Sequence, residues 1–364
     1  MNPHKRHDEE RLASSLLKKI AVLADHPMRL MEVCGTHTVA IFRAGIKPLL
    51  ADTIELISGP GCPVCVTPVG EIDRAIALSK RQEVILATFG DLMRVPGSTS
   101  SFQQERAVGS AIRVMLSPLD AVQMAEDNPG KYVVFFAVGF ETTSPPIAAA
   151  VQEARRRGLA NFYLLSSQRL VPPALKALLS AGKPAIDGFI LPGHVSVIIG
   201  RLPYLFVAAD FGIPGVITGF EPLDILEGIY MLVRQKKEGR ADIEIQYSRA
   251  VKEQGNERAR AIMEEVFISA DASWRGLGTI PGSGLILREE FAAMDAARVF
   301  NLPYVEASDP PGCLCGEVLQ GLRRPPDCPL FGSQCTPMDP VGACMVSTEG
   351  SCAAYYKYGG LLEG

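Results

Sequence analysis

YVVFFAVGFETTSPP, residues 132–146, holds the reading that decides the fold. An apolar run, Tyr132–Val138, ends in a Gly/Thr/Ser/Pro turn and passes into a segment of helical period. The same succession recurs at Arg29–Val33, Thr53–Ile57, Glu83–Ala87, Phe162–Leu165, Gly188–Leu191 and Gly215–Thr218. Short strands alternating with helical patterns are the rhythm of parallel α/β sheets. A break at residues 126–130, EDNPG, divides the strands into two sets and predicts two α/β lobes. One lobe is expected at residues 29–128 and the second at 129–237, after an amphipathic helix within residues 1–28 that packs on the C-terminal domain. From Glu221 the pattern turns helical, at Leu223–Lys237, Ala250–Phe267 and Arg288–Phe300, with no sheet signal. Residues 238–364 are therefore expected as a mainly helical and irregular domain.

The chain has 364 residues, 47% hydrophobic and 21% charged, the make-up of a globular protein with more than one domain. A net charge of −4 gives no electrostatic case for nucleic acid. The charged start, MNPHKRHDEERL, has no apolar core of a secretory signal, and VVFFAVGF falls far short of the ~20 residues a membrane helix needs. The expectation is a cytoplasmic protein whose cysteines stay reduced, which favours metal ligation or redox catalysis over structural disulfides.

The turns carry the chemistry. CGTH (34–37), GPGCPVC (59–65), FGDLMRVPGS (89–98), VGFETTSPP (138–146), SSQ (166–168) and LPGH (191–194) all end predicted strands. That edge of an open α/β sheet is where sites form, and two such edges facing each other make a cleft. Cys34 stands just before a helix N-terminus, whose dipole lowers a thiol pKa, and His37 follows three residues on. Cys62 and Cys65 form a C-x-x-C, the spacing of a reversible disulfide or of half a metal site. Glu141 and His194 are the polar residues expected to line the cleft, Glu141 as a base or ligand-orienting group. Gly276–Gly284 reads as a loop and Trp274 as a packing residue.

Six of the nine cysteines fall in the last 52 residues. Beyond Pro310 the chain is rich in Pro, Gly and Cys, and something other than an apolar core must order it. Cys328, Cys335, Cys344 and Cys352, each on its own turn, can surround a cubane cluster or a zinc ion. Cys313 and Cys315 are left over as an accessory redox pair.

Six segments together carry a family likeness: MEVCGTHTVAIFRAGI (31–46), ISGPGCPVCVTP (57–68), ATFGDLMRVPGS (87–98), AVGFETTSPP (137–146), LPGHVSVIIG (191–200) and CPLFGSQCTPMDPVGACMVSTEGSCAAYYKY (328–358). In this order they strongly resemble the HypD family of nickel–iron hydrogenase maturation factors. The resemblance implies two α/β domains and a third that carries a 4Fe–4S cluster. It further implies a scaffold complex with the small chaperone HypC, on which an iron atom receives two cyanides and one carbon monoxide. HypE and HypF supply the cyanide, and the finished unit passes to the hydrogenase large subunit precursor. By motif, Cys34 looks like the thiolate that shares the iron, with His37 beside it. Cys62 and Cys65 look like the redox pair, and Cys328, Cys335, Cys344 and Cys352 like the cluster ligands. The C-terminal arrangement is also similar to ferredoxin:thioredoxin reductase, which makes an iron–sulfur disulfide reductase the alternative reading. An isolated third cysteine with a histidine, Cys34 with His37, sets the scaffold apart from a pure dithiol reductase.

Overall fold

The computed structural model describes residues 3–50, 53–182, 185–303 and 306–359, with side chains from residue 8 onward. Eleven strands lie among them: β1 Met28–Glu32, β2 Ile54–Ser58, β3 Val84–Phe89, β4 Ile112–Met115, β5 Tyr132–Gly139, β6 Phe162–Arg169, β7 Gly188–Pro192, β8 Gly215–Thr218, β9 Ile243–Ile245, β10 Phe267–Trp274 and β11 Gly278–Leu287. They form a five-stranded sheet of order β2-β1-β7-β8-β9 and a six-stranded sheet of order β10-β11-β6-β5-β3-β4. The first is parallel throughout. In the second, β4, β3, β5 and β6 run parallel, and the β10–β11 hairpin adds antiparallel to β6. Every residue of β5 after Tyr132 is buried, because helices cover both faces of a parallel sheet and leave no polar side.

The chain visits each sheet twice. It lays down β1 and β2, crosses to build β3–β6, returns for β7–β9, and crosses again for the hairpin. The division expected at residue 128 therefore does not separate the sheets, since β3 and β5 pair across it at Leu86↔Val134. The 126–130 break is the turn between the helix Pro118–Asp127 and β5. The span 238–364 likewise holds β9, β10 and β11, one strand of the first sheet and two of the second, rather than helix alone. The N-terminal helix, Pro3–Leu23, packs on the helix Pro222–Lys237, where Ile20 and Ala24 join Ile225 and Ile229 in one core. Its partner is thus the first sheet's helical layer and not the C-terminal segment.

Residues 306–359 contain only short helices, Cys315–Leu319, Ala343–Val346 and Ser351–Tyr358, and one 3₁₀ turn at Pro325–Asp327. The first two rest on the helix Pro63–Val66, and the third on the helix Gly35–Arg43. Among the described residues, no single helix is long and apolar enough to cross a membrane.

Candidate thiol and metal site

Cys34 occupies the N-cap position of the helix Gly35–Arg43, in extended conformation at the end of β1. Cys34 is buried, and the Gly35 that follows it packs against Glu349 of the Ser347–Gly350 turn. The Thr36 hydroxyl donates to Glu349 Oε1 at 2.7 Å. A methyl group on Gly35 would fall 2.5 Å from Glu349 Cβ and from its carbonyl oxygen, so only glycine lets the two turns touch. Burial and the Glu349 carboxylate push the Cys34 thiol up to about 12, although the amides of His37 and Thr36 favour the thiolate. The pKa lowering expected from the helix dipole is overturned, because desolvation outweighs a dipole effect of about 1 kcal/mol. Cys34 is a protonated thiol at neutral pH, and a bound metal cation is what deprotonates such a group.

His37 is fully buried. Its Nε2 lies 2.9 Å from the Gly219 carbonyl and 2.8 Å from Thr218 Oγ1. A carbonyl only accepts, so Nε2 carries the proton and Nδ1 the lone pair; that Nδ1 is buried with no hydrogen-bond partner. Burial brings its pKa down to about 4, which keeps the ring neutral. Phe220 stacks on His37 at 4.7 Å and on His194 at 3.9 Å. His194 itself is exposed, and the Glu349 carboxylate acts on both it and Cys34. Two surface grooves meet at Thr36. One of about 820 Å³ runs past Arg43, Arg94, Glu349 and Tyr356, and one of about 420 Å³ past Phe220 and Glu221.

Cys62 and Cys65 are joined in a disulfide with Cα atoms 5.2 Å apart, and both are buried. Cys62 caps the helix Pro63–Val66, where its sulfur accepts from the Cys65 amide at 3.2 Å. That helix starts beyond β2 of the first sheet and touches β5 of the second. The turn before it lies on the Cys34 turn, with the Gly35 N–H donating to the Gly61 carbonyl at 3.0 Å. The two strand edges thus meet, as expected, but the junction is closed, with Cys34, Cys62 and Cys65 all buried, rather than an open cleft.

The six rear cysteines come together beside this helix, on which the Cys315 and Cys344 helices rest. Cys344 contacts both Cys315 and Cys352, Cys335 lies in the electrostatic reach of Cys352 and Cys328, and Cys313 in that of Cys315 and Cys328. The Val341 amide donates to the Cys335 sulfur at 3.3 Å. The Cys315 sulfur lies 2.8 Å from that of Cys344. Among the described residues no group of three His, Cys, Asp or Glu is arranged to hold a single metal ion. A cubane has a different requirement, since it spreads its four thiolates over separate corners. Four buried cysteines free of disulfides, Cys328 and Cys335 in turns and Cys344 and Cys352 in two short helices, with a backbone amide aimed at one sulfur, are a donor set that fits such a cluster.

Arg275, at the tip of the β10–β11 hairpin, fastens front to rear. Its Nε and Nη2 donate to the Thr67 carbonyl at 3.1 and 2.8 Å, its amide donates to the Val66 carbonyl at 2.8 Å, and its Nη1 pairs with Asp309. Gln320 Nε2 donates to the Gly276 carbonyl at 2.7 Å, tying the same tip to the Cys315 helix. The segment read as a loop is thus a strand and a clamp. Trp274 packs as expected, with its Nε1 donating to Ser283 Oγ at 2.8 Å.

Glu141 is nearly fully buried, at 2% exposure. Its Oε1 accepts from the Val171 amide at 2.9 Å, capping the helix Val171–Ser180, and its Oε2 has no partner. Burial raises its pKa from 4.5 to about 7. The folded state therefore holds a proton that the unfolded chain releases, so Glu141 costs stability as pH rises from 4.5 through 7. Glu141→Gln is expected to remove this slope, gaining on the order of 2–3 kcal/mol over the parent at pH 8 and little at pH 4. Urea unfolding at the two pH values measures the difference. Tyr204, buried beside it, lies within reach of both the Glu141 and the Cys34 charges.

Sequence reasoning missed Phe220, Tyr204, Arg275 and Glu349. Phe220 had a signal: GFEP, residues 219–222, follows β8 at the same sheet edge as the other turns.

Cysteines drawn from both ends of a chain into one closed junction between two α/β sheets define a thiol-bearing α/β protein. Comparison with known proteins narrows the class. Residues 11–359 match the HypD family, described as Hydrogenase formation hypA family. The chain is 49% identical over 356 residues to the hydrogenase expression/formation protein HupD of Azotobacter chroococcum, covering 95% of this chain and 94% of that one. It is 48% identical over 361 residues to the hydrogenase maturation factor HypD of Rhodobacter capsulatus, covering 96% of each. The corresponding factor of Escherichia coli is 46% identical over 340 residues, 93% of this chain and 91% of that one. The chain belongs to the HypD family of hydrogenase maturation factors.

Proposed function

We propose that this protein is the scaffold on which the iron of a nickel–iron hydrogenase receives two cyanides and one carbon monoxide. The iron is cargo, shared between Cys34 and a cysteine of a HypC-type chaperone docked over the grooves at Thr36. HypE, charged through HypF, delivers cyanide, and the finished unit leaves for the large subunit precursor. The observation that carries this reading is the Cys34 pocket: a buried thiol capping a helix, beside a neutral histidine whose free lone pair is also buried. Low-spin iron is soft, and thiolate is a suited anchor for it.

Cys328, Cys335, Cys344 and Cys352 hold a 4Fe–4S cluster in this account. Bound there, it supplies electrons one at a time beside the thiols. Cys62–Cys65 takes up two electrons and two protons to open to the dithiol, and its helix touches the Cys315 and Cys344 helices while the Gly61 carbonyl before it accepts from the Gly35 amide beside Cys34. Both residues of the pair are buried, at 3% and 0% exposure, which leaves no face for a protein disulfide substrate and favours the scaffold over a general disulfide reductase. Replacing Cys62 and Cys65 with Ser is expected to leave the fold, the cluster and the chaperone complex intact while hydrogenase maturation falls to background. Maturation at the parent level in that variant would exclude the relay.

A further inference from the structure

A neutral histidine carries its ring proton on either nitrogen, and the groups facing His37 Nε2 decide which. Thr218 Oγ1, 2.8 Å away, is a hydroxyl that donates as readily as it accepts, so it suits both tautomers. The Gly219 carbonyl, at 2.9 Å, only accepts and thus selects Nε2–H. That carbonyl belongs to a glycine, whose backbone is the freest of any residue and must be held from outside. Gln246, just beyond β9, holds it: its Oε1 accepts from the Gly219 amide at 3.0 Å. The Gln246 side chain is itself oriented, since its Nε2 donates to Asp224 Oδ1 at 2.9 Å and to Glu227 Oε2 at 3.0 Å. Asp224 closes the other side of the turn. Its Oδ2 accepts from the Glu221 amide at 3.3 Å and would stand 2.2 Å from a methyl on Gly219. Arg249 grips the same carboxylate with both Nη atoms and lies over the Tyr247 ring, 4.5 Å from its centre. Tyr247 meets Phe220 edge-on at 6.0 Å, and Phe220 is the ring that stacks on both His37 and His194.

We propose that Gln246, seated on Asp224, is a positioning residue for the Cys34 site: it fixes the Gly219 carbonyl on His37 Nε2 and so leaves Nδ1 with a bare lone pair. The tautomer stands on these hydrogen bonds alone; its use in maturation rests on the scaffold reading above. Nδ1 has no hydrogen-bond partner of its own, so the choice is made entirely at Nε2. Without Gln246 the glycine turn relaxes, the Thr218 hydroxyl donates to Nε2, and the proton moves to Nδ1. Neither ring nitrogen then keeps a free lone pair, and the imidazole beside Cys34 has nothing to offer a metal. Removing an outer partner of this kind costs about 10–100-fold in metal affinity or activity.

The test uses the full chain without cargo, its histidines labelled with nitrogen-15. A long-range proton–nitrogen spectrum reads His37 Nδ1 and Nε2, assigned by their loss in His37→Gln. The parent is expected to show a protonated Nε2 and a bare Nδ1. Gln246→Met, which keeps the length of the side chain and removes both hydrogen-bonding atoms, is expected to shift the proton toward Nδ1. Hydrogenase maturation is expected to fall about 10–100-fold in the same variant. If Gln246→Met does not fold, Arg249→Met, a change to an exposed side chain that loosens Asp224, is read by the same criteria. A proton on Nδ1 in the parent, or unchanged His37 signals in the folded variant, would overturn the proposal. So would maturation at the parent level once the signals have moved. A parent complex without cyanide and carbon monoxide bands defeats the scaffold reading, while the His37 signals still decide what Gln246 does.

Discussion

Gly61→Ala is expected to break the contact between the Cys34 and Cys62 turns and to destabilise the whole protein. The added methyl would lie 2.3 Å from the Cys34 nitrogen, 2.4 Å from the Val33 carbonyl carbon and 2.6 Å from Cys34 Cα. These are backbone atoms at the end of β1, where Val33 N–H donates to the Ile190 carbonyl at 3.2 Å. Relief must therefore move the strand end or the Cys62 turn, and no side-chain rotation suffices. Overpacking of this kind costs about 3 kcal/mol or more, the upper end of its usual range. Urea unfolding should show that loss, with faster alkylation of Cys34 under native conditions. Gly130→Ala is the control, because a methyl there meets nothing within 4 Å and should change stability by less than ~0.5 kcal/mol.

Cys335→Ser is expected to remove the cluster and to loosen residues 306–359 without unfolding the sheets. This segment has short helices and turns but no strand of either sheet, so ligation supplies much of its order. Serine is a hard oxygen donor where the cluster needs soft thiolate. Bound iron, sulfide and visible absorbance should fall to a small fraction of the parent's. Limited proteolysis should then cut first within 306–359 and leave a fragment carrying both sheets.

Strands buried on both faces were legible in the sequence because burial demands an unbroken apolar run. Gly215–Thr218 was placed to the residue, and Tyr132–Gly139 to within one. The hairpin was not legible: β10 reads FISADASW and β11 contains Pro281 and three glycines, since both lie at the sheet's margin with one face to solvent. Nor was sheet membership, because a strand–turn–helix rhythm is the same whichever sheet the next strand joins. The thiol site divides along the same line. Cys34, Cys62 and Cys65 announced themselves through their turns, whereas Glu349 meets Thr36 across 313 residues of chain. The Cys34 pKa departs from expectation for the same reason, since burial is a tertiary effect and the Glu349 carboxylate that adds to it comes from that distant segment.

The central claim is that Cys34 anchors iron carrying cyanide and carbon monoxide. An infrared spectrum of the protein, isolated anaerobically with its HypC-type partner, tests it most directly. Sharp cyanide and carbon monoxide stretches are expected in the parent complex and their loss in Cys34→Ala, with cluster iron and sulfide unchanged. Bands that persist in Cys34→Ala, or a parent complex that carries its cluster but shows no bands, would contradict it.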